Sequence, residues 1–195
     1  MADSSRASMK NDSQNQAKLL SVRGAIIAGT AGGLVYGVNY GLQALVVVLR
    51  MTGATGFISG FTVPLILALA SQVNKEWGTA TVAWGLYSLL AVPTLLMGSP
   101  GAYKVVVGLI GGVAYDLGYC GTGLKRKSLF LALVLYVVAL ATSFYIVYIM
   151  GIMPKVSGGN IWTVLGVVSA VFLFEGTFST WLAIKAYEKR IKHLL

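Results

Sequence analysis

Long apolar segments, separated by short stretches of charged and turn-forming residues, dominate the sequence. A helix needs about 20 apolar residues to cross the hydrocarbon layer of a membrane. Candidates of about that length occupy residues 24–49, 57–73, 78–97, 102–120, 129–153 and 161–187. Only 11% of the residues are charged, against about 25% in a typical soluble protein. The pattern predicts an all-α integral membrane protein, with a six-helix transmembrane bundle over residues 20–190.

The Lys and Arg residues predict the orientation of these helices, because they concentrate in cytoplasmic loops. With six spans and a cytoplasmic N-terminus, three of the fifteen basic residues fall on the outer side. The outer three are Arg50, Lys104 and Lys155, and the other twelve are cytoplasmic. The polar residues 1–19 are expected to form a disordered cytoplasmic tail, and 191–195 a second, shorter cytoplasmic tail. Because the membrane orientation accounts for the basic residues, the net charge of +9 does not require a nucleic acid partner.

The sequence is poor in residues that carry out catalysis. The single histidine, His193, lies in the C-terminal tail, so no zinc-protease motif and no Ser-His pair can form within the membrane. The chain also lacks a G-x-S-x-G elbow and a Walker loop. We therefore expect no catalytic residue, no metal site and no cofactor, and any ATP hydrolysis would belong to another chain.

The first apolar segment carries a small residue at every fourth position. These residues are Ala25, Gly29, Gly33, Gly37 and Gly41. On a helix they lie on one face, where a second helix can approach closely. We interpret this face as a docking surface for a partner helix, and we call it the α1 stripe because it lies on the first predicted helix.

Two acidic residues lie inside predicted spans, where an unpaired carboxylate is costly. Asp116 continues the line Lys104, Gly108 and Gly112 at four-residue spacing, and it lies close to the basic loop at 125–127. It is interpreted as a paired or snorkelling interfacial carboxylate, with a role in coupling or binding as the alternative. Glu175 lies near the middle of the last span, and for it a functional role and a structural hydrogen bond are equally compatible with the sequence.

Polar and aromatic residues collect at the outer ends of the predicted spans, where they could hold a small planar, polar molecule. The alternative is that they are interfacial belt residues or form hydrogen bonds between helices. Lys104 is expected to be a mobile cation at the rim of this site. The full set of candidate ligand-binding residues is Asn39, Tyr40, Gln43, Tyr103, Lys104, Tyr145, Asn160, Trp162 and Glu175.

The order of these features resembles the S component of an energy-coupling factor (ECF) transporter, a small six-helix subunit that captures a vitamin. The resemblance is carried by the α1 stripe and by the layout of residues 58–64, 95–101 and 108–116, and it is nearest the thiamin or hydroxymethylpyrimidine branch. It implies a multi-pass protein of a prokaryotic plasma membrane, docked through Ala25, Gly29, Gly33 and Gly37 onto a transmembrane T subunit with two ATPases. The alternative is a non-catalytic accessory subunit of a larger membrane complex that binds no solute.

Overall fold

The computed structural model describes residues 18–48, 54–97, 100–152 and 160–193, and it is helical almost throughout. A two-residue strand, β1 (Lys18–Leu19), pairs in parallel with β2 (Glu76–Trp77). A π-helical turn, Tyr187–Ile191, continues the last helix. The six helices are α1 (Val22–Val48), α2 (Ala54–Asn74), α3 (Thr79–Ala91), α4 (Tyr103–Cys120), α5 (Arg126–Ile149) and α6 (Ile161–Ala186).

These helices fall within the six predicted apolar segments to within a few residues, except that α3 is short. The segment 78–97 was expected to be helical throughout, but α3 has 13 residues and ends at Ala91. Pro93 follows closely, and it has no N–H with which to continue the helix. Residues 92–97 instead form turns, in which the Thr94 N–H donates to the Ala91 carbonyl. Residues 1–17, most of the expected tail, lie outside the described part of the chain.

The helices pack in a closed order, α1–α2–α6–α5–α4–α3, in which α3 returns to α1. Consecutive helices run in opposite directions, because short connections join them. We call the end at which α1 begins and α6 ends the terminal end, and the opposite end the distal end. The core contains Tyr115, Leu67, Leu129 and Leu133, each almost fully buried.

One face of α4 holds α3 at both of its ends. At the terminal end, the buried Asp116 carboxylate accepts hydrogen bonds from the backbone N–H groups of Ala80 and Thr81, at 3.0 and 2.9 Å. At the distal end, the buried Lys104 Nζ donates to the carbonyl oxygens of Ala91 and Thr94, at 3.0 and 2.6 Å. A helix is partially positive at its N-terminus and partially negative at its C-terminus, so both charges have the favourable sign.

The glycines between these two charges allow α4 to approach α3 closely. A Cβ at Gly112 would lie 2.6 Å from Thr81 Cα, and a Cβ at Gly108 would lie 2.5 Å from Ser88 Cβ. Lys104 and Asp116 are twelve residues apart, or about 18 Å on a helix, and the 13 residues of α3 span about 20 Å. The line Lys104, Gly108, Gly112 and Asp116 therefore matches the length of α3. We call these four residues the α4 clamp.

Helix α1 has two faces of small residues, and they differ in their surroundings. Gly24, Ala28 and Gly32 are buried, and a Cβ at Gly32 would overlap the Ala83 carbonyl oxygen of α3. The α1 stripe lies on the other face. A Cβ at Gly29, Gly33, Gly37 or Gly41 would meet no atom of the described residues within 4 Å. Close packing within the chain thus uses a neighbouring face and leaves the stripe open.

Three helical stretches, Val22–Val46, Arg126–Ile149 and Ile161–Ile191, are long and apolar enough to cross a membrane. Large apolar side chains also cover the outer surfaces of the described helices, including Phe174 at 79% exposed. On α4 the exposed positions form a stripe of helical spacing, Val106, Leu109, Ile110, Val113 and Leu117. Such surfaces are far more apolar than those of soluble monomers, so the chain has the character of a membrane protein.

Glu76, between α2 and α3, caps the beginning of α1. Its carboxylate accepts hydrogen bonds from the Ser21 backbone N–H at 2.8 Å and from the Ser21 hydroxyl at 2.9 Å. The bond from the Ser21 backbone is the main reason why the pKa of Glu76 lies below its ordinary value. Residues 18–19, assigned to the tail from the sequence, are held beside this cap by the β1–β2 pair.

The Glu76 cap predicts a pH-dependent contribution to stability. A carboxyl group whose pKa is lowered on folding stabilises the folded chain above its unfolded pKa, and this stabilisation is lost as the pH falls through the folded pKa. We expect Glu76→Gln to lower the thermal midpoint at pH 7 and to differ less and less from the parent below about pH 4.5. Melting curves of both proteins in detergent between pH 7 and 3 test this. A difference that stays constant over that range would contradict it.

Candidate functional site

A cavity of about 220 Å³ lies inside the distal half of the protein. Its walls come from α1, α2, α3, α5 and α6, together with the turns after α3. The lining residues are Gln43, Ser59, Val63, Trp84, Tyr87, Leu95, Leu96, Met97, Tyr136, Leu140, Phe144 and Phe172. Five of these twelve are aromatic, and none carries a formal charge. With this lining, formed by described residues, the cavity suits a small planar molecule.

Three aromatic side chains form one wall of the cavity. The Trp84 ring lies 4.9 Å from the Tyr87 ring and 5.4 Å from the Tyr136 ring, measured between centroids. Trp84 Nε1 and Tyr136 Oη are buried, and neither has a hydrogen-bond partner among the described residues. A buried polar atom without a partner is unfavourable, because it has lost its hydrogen bond to water. Both residues line the cavity, so these two groups are the candidate hydrogen-bond donors to a bound molecule.

A second wall is polar and held in place by α1. Ser59 lines the cavity, and its hydroxyl donates to Asn39 Oδ1 at 2.9 Å. Thr62 donates to the same oxygen at 3.1 Å, and Asn39 Nδ2 donates to the Val35 carbonyl oxygen at 2.8 Å. Asn39, expected to contact a ligand, is thus buried and orients Ser59 between α1 and α2.

The turn after α3 contributes a residue in an unusual conformation. Met97 has φ +60°, a left-handed backbone conformation that residues other than glycine adopt rarely. It lines the cavity, and its carbonyl oxygen accepts a hydrogen bond from the Tyr103 hydroxyl at 3.3 Å. Tyr103, expected in the site, thus supports the turn that closes the cavity at the distal end.

Lys104 differs most from its expected position. It was predicted to be a mobile cation at the rim of the site, but it is 0% exposed and donates to the carbonyl oxygens at the end of α3. Its spacing from Asp116 explains this, because both residues lie on the face of α4 that packs against α3. Asp116 is likewise not paired with the basic loop at 125–127, since the N-terminus of α3 occupies its carboxylate.

Of the candidate ligand-binding residues, Gln43 is the one that lines this cavity. Tyr40 is half exposed and stacks on Tyr36, with 5.6 Å between ring centroids. Tyr145 and Trp162 lie in a separate groove between α5 and α6, with 4.4 Å between their ring centroids. Asn160 caps α6, because its side chain accepts a hydrogen bond from the Trp162 N–H at 3.1 Å.

Glu175 lies between α2 and α6, beside the cavity rather than in its lining. Its Oε2 packs against Gly60, where a Cβ would overlap it. This oxygen is buried and has no hydrogen-bond partner in the described part of the chain. The structural hydrogen bond considered from the sequence is therefore not made by Oε2.

Sequence reasoning missed all three residues of the aromatic wall. Trp84, Tyr87 and Tyr136 lie within predicted spans, away from the predicted interfacial level at which Trp and Tyr usually collect. An aromatic residue with a polar atom at that depth needs a hydrogen-bond partner, and this need was the signal from which these residues could have been predicted.

No family model, no curated protein and no solved structure matches the chain.

Proposed function

We propose that the chain is the substrate-capture subunit of an ECF-type importer, which binds a vitamin or vitamin precursor of the thiamin and hydroxymethylpyrimidine kind. The observation that carries the proposal is the distal cavity, with its aromatic wall and the unpaired polar atoms of Trp84 and Tyr136. A pyrimidine ring would stack on the aromatic side chains, and its nitrogen atoms would accept hydrogen bonds from these two groups.

The membrane arrangement supports uptake from outside. In the proposed topology all six helices cross a prokaryotic plasma membrane, and the terminal end faces the cytoplasm, because most Lys and Arg residues lie there. The exposed apolar stripe of α4 and the short apolar stretches Ile58–Asn74 and Thr79–Ala91 support the three further spans. The cavity then lies in the outer half of the membrane, within reach of an external solute.

The α1 stripe supports the proposed association with a T subunit. Its open small residues provide a surface on which a helix of the T subunit could pack closely, while the ATPases would supply the energy for transport. The same stripe would equally serve an accessory subunit of another membrane complex. The cavity favours solute capture over that alternative, because a docking surface by itself does not require an aromatic-lined space inside the bundle.

Tyr136→Phe separates ligand binding from packing. The variant removes a buried hydroxyl that has no partner, so its thermal midpoint should equal or exceed that of the parent. A hydrogen bond lost to the ligand should weaken binding about 3–10-fold. Tyr145→Phe is the matched control, since Tyr145 lies outside the cavity lining. Isothermal titration with hydroxymethylpyrimidine and thiamin tests this, and equal affinities in the two variants would contradict the proposed role of Tyr136.

A further inference from the structure

A second cleft, of about 200 Å³, opens at the terminal end where α2, α4, α5 and α6 converge. Its floor contains Tyr119, Leu129 and Ile184, each at most 2% exposed. The other lining residues are Gln72, Lys75, Leu124, Arg126, Tyr187, Glu188 and Lys192. The cleft therefore combines an apolar floor with a mainly basic rim.

The charges around this cleft do not balance. Lys75, Arg126 and Lys192 face a single acidic side chain, Glu188, which lies 3.2 Å from Arg126. Among the described residues, the sequence neighbours of this rim add the basic Lys125, Lys127, Lys189 and Arg190 and one acidic residue, Glu76, whose carboxylate is bound by Ser21. A group with negative charge would thus be attracted to this point from several sides.

Two of the residues around the cleft hold unfavourable backbone conformations. Lys75 has φ +53° and Leu124 has φ +58°, both in the left-handed region. Lys75 directly follows α2, at a helix end where glycine usually takes this conformation. Lysine at that position supplies a side chain at the rim that glycine would not, and such strain is typical of functional sites.

We propose that this cleft binds the phosphate group of an anionic membrane lipid. In the proposed topology the site lies at the cytoplasmic ends of four helices, at the level where lipid headgroups meet water. Basic pockets between helix ends on the cytoplasmic side suit anionic headgroups. The proposal needs the membrane position of the terminal end and is independent of solute capture at the distal cavity.

The test uses the purified full chain in detergent, titrated with short-chain phosphatidylglycerol and observed by native mass spectrometry. Short-chain phosphatidylcholine, which has no net charge, tests whether binding requires a negatively charged lipid. Inorganic phosphate tests whether binding requires the acyl chains. We expect phosphatidylglycerol to bind at least fivefold more tightly than phosphatidylcholine and to remain bound in millimolar phosphate. Equal binding of the two lipids, or displacement of phosphatidylglycerol by phosphate, would overturn the proposal.

Lys75→Gly distinguishes a binding role from a structural one. Glycine accepts the left-handed backbone, so the variant should fold at least as stably as the parent. It should nevertheless bind phosphatidylglycerol about fivefold more weakly, the effect of one basic residue near an anionic headgroup. Arg23→Gln removes one positive charge from the same end, on α1 and outside the cleft lining, and it should leave binding within about twofold of the parent. Equal losses in both variants would indicate unspecific attraction and overturn the site.

Discussion

Asp116→Ala is expected to destabilise the protein by about 2–4 kcal/mol, through the loss of the helix cap and the burial of unpaired donors. The variant leaves two N–H groups without their acceptor, that of the buried Ala80 and that of the half-buried Thr81. It also removes the negative charge at the N-terminus of α3, a short helix that depends on its neighbours for stability. Unfolding in increasing fractions of SDS, monitored by circular dichroism, measures the difference.

Asp116→Asn is the graded control for this prediction. The amide oxygen can still accept a hydrogen bond, whereas the amide nitrogen would face donors, so about half of the alanine effect is expected. Lys104→Met, at the other end of the clamp, keeps the buried alkyl chain and leaves the carbonyl oxygens of Ala91 and Thr94 without that donor. An alanine variant that unfolds at the same SDS fraction as the parent would contradict the clamp.

Gly32→Leu and Gly33→Leu are expected to have opposite consequences although the two positions are adjacent. Leucine at position 32 would overlap the backbone of Ala83, which cannot move without separating α1 from α3. We expect a loss of about 3 kcal/mol or more, as for severe overpacking. A Cβ at position 33 would meet no atom of the described residues within 4 Å, so we expect the stability of Gly33→Leu to stay within about 0.5 kcal/mol of the parent.

The same pair of variants tests the α1 stripe. Gly33→Leu should fold and insert like the parent, yet it should co-purify with less of the proposed partner subunits when expressed in the native membrane. Size-exclusion profiles report folding, and quantitative mass spectrometry of the purified complexes reports the partners. Normal partner recovery in Gly33→Leu would contradict the docking role, and a normal profile for Gly32→Leu would contradict the α1–α3 packing.

The helices were predictable from the sequence because their signals are local. Apolar length and turn residues placed five of them to within a few residues, and α3 was too long by the residues around Pro93. The line Lys104, Gly108, Gly112 and Asp116 was also visible, since four-residue spacing puts residues on one helix face. The role of this line in holding α3 could not be predicted, because Lys104 and Asp116 bind backbone carbonyl and N–H groups of α3. Every residue type other than proline has both of these groups, so the sequence does not mark them.

The candidate site was less predictable, because it depends on which faces of separate helices meet. Tyr40, Tyr145 and Trp162 have the same chemistry as the cavity aromatics, but they lie outside the cavity lining. Trp84 and Tyr136 come from helices that are not neighbours in the closed order, and their rings meet in the interior. Periodicity within one helix carries no information about such a meeting.

Fluorescence titration of the purified chain tests the central claim, solute capture in the distal cavity, most directly. Trp84 lies in the cavity wall, so a bound heteroaromatic should change its emission. The account predicts a saturable response to hydroxymethylpyrimidine or thiamin, at one ligand per chain, that disappears in Trp84→Phe. A response that fails to saturate with both compounds, or that persists unchanged in Trp84→Phe, would contradict it.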